Sequence, residues 1–296
     1  MTLDPAVFRY VPDNTRRPRV LVRTRLERVG DAILAPLRAT RRAFLRQLGC
    51  ALQQARSGQA GFWLPQAYAL RRFGSRLDLI IPADGLEALM LDVVEVGQRG
   101  FHSGRWFIGA GDWSGVLLPF IRHQISREAQ ELKAAALRFR DTRCYTAYRR
   151  RAEVGKPMVR NRLVLDTPAA VDAYFEGFVA LFESIAEHGL RRRADFSARG
   201  NWRVGRRRWL AELGEQDIGV ALAADGRLVK LPGGQHRFAI ARALDLQEVP
   251  VQVRLLHVDA LHGMSAPGLI ELIDAGRVFQ ICNIPEPGPG RIMPRL

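Results

Sequence analysis

The residues best suited to chemistry stand together at Gly233-Gly234-Gln235-His236-Arg237, between an apolar run ending at Lys230-Leu231 and a helical pattern from Phe238 to Leu244. Glycines let a backbone approach a ligand closely. The first N–H groups of a helix lack intrahelical partners, and the helix dipole adds positive potential there. With Lys230 and Arg237 alongside, the order of strand, glycine pair and helix start predicts a phosphate site. The plain alternative is a glycine pair that only turns the chain. Asp166, Glu183 and Asp112 are the candidate carboxylates for general acid–base work, and the sequence does not rank them. Asp112 lies in Gly109–Gly115, which is no dinucleotide fingerprint because no βαβ unit surrounds it; it reads first as an Asx-turn. Arg206, Arg207 and Arg208 belong to an arginine-rich stretch that begins at Arg191 and carries Trp202 and Trp209. Guanidinium forks beside planar rings suit an anionic acceptor, while the bland reading is a solvated basic loop. His102 and His123 have no metal-ligand spacing, and no metal-binding residues are assigned.

These groups need elements to hold them. Ile218–Ala223 reads as a strand, Ala224-Asp225-Gly226 as a tight turn and Arg227–Leu231 as the returning strand. Val249–Val253 follows the helix as another buried strand. Upstream, Leu77–Pro82 and Arg105–Ile108 look like strands, and Asp31–Ala55 carries a helical stripe of Ile33, Leu34, Leu37, Phe44, Leu45 and Leu48. Ser126–Arg140 predicts a helix capped by Ser126. A polar break at Arg149–Pro157 suggests a boundary. The expected layout is an accessory α/β domain over 1–157, a nucleotide-binding domain over 158–262 and a Pro/Gly-rich extension over 263–296. The fold class is α/β (α+β).

The stretch from Gly233 to Val251, with Leu246-Gln247-Glu248-Val249-Pro250-Val251 at its end, resembles the signature of the ParB/sulfiredoxin superfamily, a Gly-x-x-Arg loop opening a helix that leads to a Val-Pro-Val strand. Leu181–Leu190, ending in Glu187-His188-Gly189, looks like the upstream helix of the same family. The two motifs cover roughly residues 160–258. The resemblance implies a site for ATP, ADP or CTP, with phosphates against Gly233, Gly234, Gln235, His236 and Arg237. Gln235 stands where sulfiredoxins carry their catalytic cysteine, which argues against that chemistry. No helix-turn-helix pattern follows Val253, as partition proteins would require. The loop variant is closer to the kinase-like and the uncharacterised bacterial branches than to partition proteins or true sulfiredoxins. The expected function is therefore an ATP-dependent or other NTP-dependent phosphotransferase, with Mg²⁺, acting on a hydroxyl of a small or anionic acceptor. A nucleotide-switched DNA-binding module without catalysis is the alternative.

Composition sets the outer limits. The chain has 296 residues, 47% of them apolar and 25% charged, which excludes a fibrous or wholly disordered protein. The net charge of +15 attracts anions, nucleic acid included. All but three of the 45 cations are arginines, the exceptions being Lys133, Lys156 and Lys230, a skew that also follows from a GC-rich genome. Three scattered cysteines give no disulfide framework. Without a signal peptide or an uninterrupted apolar span, a cytoplasmic protein with no transmembrane segment is expected.

Overall fold

The structure is a computed structural model and describes residues 9–10, 41–96, 99–160, 163–192, 217–282 and 284. In chain order, strand β1 (Arg9–Tyr10) is followed by helix α1 (Arg41–Arg56), β2 (Gly61–Pro65), α2 (Gln66–Phe73), β3 (Asp78–Ile81) and β4 (Ala88–Met90). Next come β5 (Val93–Val96), β6 (Arg99–His102), β7 (Trp106–Ala110), β8 (Leu117–Pro119), α3 (Gln124–Ala134) and α4 (Arg143–Glu153). After β9 (Met158–Arg160) and β10 (Leu163–Leu165) runs α5 (Pro168–His188). The C-terminal elements are β11 (Ile218–Leu222), β12 (Leu228–Lys230), α6 (Gln235–Ala243), β13 (Val249–His257), α7 (Ala266–Asp274) and α8 (Val278–Ile281).

Helices form where the apolar period is helical. In α1, Phe44, Leu48, Ala51, Leu52 and Ala55 are buried, and Arg41, Arg42 and Arg46 face water. The part of that expected helix over residues 31–40 lies outside the described residues, as do Arg206, Arg207, Arg208 and the tail from Pro285. In α5, Thr167 caps the start through Ala170 N–H, and Pro168 occupies the first turn, where its missing donor costs nothing. Gly189 ends α5 at φ +70°, its N–H donating to the Ile185 carbonyl, as the Glu187-His188-Gly189 pattern led one to expect. The helix expected from Ser126 begins earlier and stops sooner. His123 caps α3, its Nδ1 accepting from Ile125 N–H, and Ser126 is buried. Ala136 and Leu137 adopt positive φ, so the helical path to Arg140 is broken.

The central sheet has eight strands in the order β2-β7-β13-β11-β12-β4-β8, with β3 also paired to β13. One edge of β13 takes β3 antiparallel along Val249–Gln252, then β7 parallel at Leu256 and His257. Its other edge takes β11 in parallel, from Ile218↔Val251 to Leu222↔Leu256. β12 returns antiparallel to β11, the hairpin expected around Asp225-Gly226, and Lys230 pairs in parallel with Leu89 of β4. The mixed sheet flanked by helices is an α/β architecture. The polar break at Gly155–Pro157 is a turn between α4 and β9, and the sheet draws strands from both sides of it. Hydrophobic burial forms one large core joining α1, α5 and α6 to the sheet. A second core lies around Phe62, Met90, Trp113, Val229 and Leu255. The three-stranded sheet β1-β5-β6 contributes Val94 and Phe101 to that second core.

Candidate functional site

The glycine pair stands at the start of α6. Gly233 adopts φ +97° and Gly234 the left-handed φ +62°, ψ 25°, a conformation that favours glycine. Gly234 is the N-cap, and no side chain caps the helix. The helix begins at Gln235, earlier than the apolar pattern at Phe238 suggested, because its first turn is polar. Phe238 N–H closes the first intrahelical bond to the Gly234 carbonyl at 3.0 Å. The amides of Gln235, His236 and Arg237 are the helix's unpaired donors. Gly233 is exposed, and a Cβ placed on it would meet no atom within 4 Å. The Gly233 side of the turn therefore faces open space at the positive end of the helix dipole.

The side chains expected to surround a phosphate divide into two sets. Gly233, Gly234 and the half-buried Gln235 lie at the surface of the turn. Lys230 does not reach outward: β12 is buried along its whole length, and the Lys230 ammonium donates to the carbonyls of Leu231 at 2.8 Å and Gly233 at 2.6 Å. It also lies 5.8 Å from the centre of the Phe238 ring. Burial pushes this amine down to about 7. Lys230 pins the turn from below. Arg237 is engaged sideways, pairing with Asp217 at 3.6 Å and donating to the Arg191 carbonyl. Next to that contact, Arg192 pairs with Asp78 of β3 at 2.7 Å.

His236 turns inward toward α5. Its Nε2 lies 2.9 Å from the Tyr174 hydroxyl, and its ring meets Phe178 edge-on at 5.0 Å. Tyr174 donates to Glu128 at 2.6 Å, Tyr148 donates to the other carboxylate oxygen, and Arg160 Nε approaches that oxygen at 3.2 Å. The Glu128 side chain has no exposed surface. Burial, with Arg160 and His123 adding repulsion, lowers His236 to about 4. Burial first, then Lys230 and Arg160, brings His123 to about 4 as well. Burial and the Glu128 carboxylate push both tyrosine phenols up. The turn is thus bordered by two neutral imidazoles. His123 spends Nδ1 on Ile125 N–H, so its proton sits on Nε2.

None of the three carboxylates chosen from sequence belongs to this bonded cluster. Asp112 closes an Asx-turn, accepting from Ser114 N–H and Oγ–H, each at 2.8 Å. Asp166 is exposed just before the Thr167 cap, and Glu183 is exposed on α5 beside buried Phe182. The carboxylate bonded into the His236 cluster is Glu128, which the sequence reading missed as a site residue. Its signal was a charged residue inside the buried stripe Ile125, Glu128, Ala129 and Leu132. Among the described residues no three His, Cys, Asp or Glu side chains converge as a metal site, and no helix is long and apolar enough to cross a membrane. Comparison with protein-family models, curated proteins and solved structures finds no match to this chain.

Proposed function

We propose that the chain binds the phosphates of ATP or another nucleoside triphosphate at the Gly233-Gly234 turn and transfers a phosphoryl group to a hydroxyl of a small or anionic acceptor. The observation that carries this reading is the uncapped start of α6, where two successive positive-φ glycines precede three helix-start amides that no side chain caps. The resemblance of Gly233–Val251 to the ParB/sulfiredoxin loop and strand supports the same ligand class. Gly233, Gly234 and Gln235 would hold phosphate through the backbone, and Arg237, fixed by Asp217, adds positive potential rather than a free fork. Magnesium takes oxygen ligands. The described side chains at the turn offer nitrogen donors and two engaged carboxylates, Asp217 paired with Arg237 and Glu128 bonded to three partners. Mg²⁺ would therefore be held by phosphate oxygens and water.

Titration calorimetry with ATP, ADP, CTP and GTP in the presence of Mg²⁺ tests the reading. Binding is expected in the wild type and lost in Gly234→Val, whose Cβ and backbone strain disturb the turn. Equal affinity in both proteins, or no binding in either, overturns it. The net charge of +15 favours a second reading, a nucleotide-switched module on nucleic acid. That module would bind duplex DNA with a steep salt dependence and release no nucleoside diphosphate.

A further inference from the structure

The buried chain Glu128–Tyr174–His236 ends on the first turn of α6 and has a direction. A phenol owns one proton. Tyr174 lies 2.6 Å from Glu128 Oε2, and the carboxylate also accepts from Tyr148 and Arg160, so the phenol proton points to Glu128. The Tyr174 oxygen is then left to accept from His236 Nε2–H at 2.9 Å. This fixes the imidazole as the Nε2–H tautomer. Its Nδ1 carries a lone pair, and among the described residues it takes no hydrogen bond. A lone pair at that point repels a phosphate oxygen and accepts from an O–H donor.

We propose that His236 is a catalytic residue whose Nδ1 receives the acceptor hydroxyl, with Tyr174 and Glu128 as the positioning residues that set its tautomer and ring plane. The proposal rests on the phosphotransfer reading above. In the step, the acceptor oxygen forms a bond to the terminal phosphorus. The bond from that phosphorus to its bridging oxygen breaks, and its electron pair leaves on the nucleoside diphosphate. The hydroxyl proton passes to Nδ1, and the imidazolium then returns it to solvent. Phosphoryl transfer asks mainly for positioning and electrostatic stabilisation, so a neutral imidazole that orients the hydroxyl suffices. The same geometry explains why the three solvent-facing carboxylates are not needed for this role. The acceptor class follows: an alcohol or polyol hydroxyl, presented beside the phosphates at the start of α6.

Three variants of the full chain test this, with MgATP as probe and water as the simplest hydroxyl acceptor. A glutamine amide nitrogen falls near the histidine Nε2 position and an asparagine amide falls near Nδ1. His236→Gln therefore keeps the link to Tyr174 and removes the acceptor, whereas His236→Asn keeps an acceptor near Nδ1 and drops the link. His236→Gln should lower kcat about 100-fold with KM for ATP within about twofold. His236→Asn should retain more of kcat than His236→Gln. Tyr174→Phe preserves volume and should shift His236 from a single tautomer to a mixture, read by long-range proton–nitrogen correlation spectra. A wild-type imidazole protonated on Nδ1, the reverse order of the two His236 variants, or ATP bound without turnover would overturn the proposal. If the wild type binds no nucleotide, the phosphotransfer reading falls, and the wild-type imidazole spectrum alone decides whether Nδ1 is the open nitrogen.

Discussion

A lysine stripped of water must either lose its proton or destabilise the fold, and Lys230 sits at that choice. Burial brings its amine from 10.5 to about 7, partly offset by Asp92. Between those values the unfolded chain holds a proton that the folded chain has released, so stability rises with pH through that window. Lys230→Met removes the titration and leaves the Leu231 and Gly233 carbonyls without this donor. The wild type should therefore gain stability relative to Lys230→Met from pH 7 to about 10, measured by urea unfolding at each pH. A constant difference would contradict the assignment. From sequence, Lys230 stood out as a cation next to glycines, and that type and spacing favoured a ligand. Its burial was set by the strand: Leu228, Val229 and Lys230 are all buried because β12 lies inside the sheet with both faces covered. Glu128 shows the converse. A carboxylate in an apolar helical stripe is a strong mark, but its partners Tyr148, Tyr174 and Arg160 lie on three other elements and no local pattern names them.

At the scale of the element, the start of α6 was legible and its details were not. Strand, glycine pair and helix follow each other as the residue order demands, since only glycine adopts φ +97° and then φ +62° without strain. The first turn was read as loop because Gln235, His236 and Arg237 are polar, and polarity at a helix start records partners rather than the absence of a helix. The same effect hid the start of α3, where His123 rather than Ser126 provides the cap. Gly233→Ala isolates the backbone cost, because its Cβ has open space and only the positive φ opposes it. A loss of about 1–2 kcal/mol in unfolding free energy is expected, the penalty of a positive φ for an L-residue. No measurable loss in chemical denaturation would mean that the turn relaxes to another conformation.

At the scale of the whole molecule, strands were found where periodicity placed them, yet their partners come from distant sequence. β13 is held by β3 and β7 on one edge and β11 on the other, so the buried Val249, Val251, Val253 and Leu256 depend on residues before and after the break at 157. Composition marks a turn well and a folding unit poorly, because hydrogen-bonded edges leave no trace in local polarity. A fragment of residues 158–296 exposes the β13 edge and loses the packing of α1 on the core. It should show no cooperative thermal transition, whereas the full chain should show one. A cooperative transition in the fragment would establish an independent C-terminal unit.

The contact made by Arg237 has a further consequence. One guanidinium holds the Arg191 carbonyl and the Asp217 carboxylate, while Arg192 is fastened to Asp78. Arg237 is therefore a clasp as well as a charge: it ties two stretches of backbone that are 26 positions apart in sequence to the first turn of α6, and removing it would release both at once.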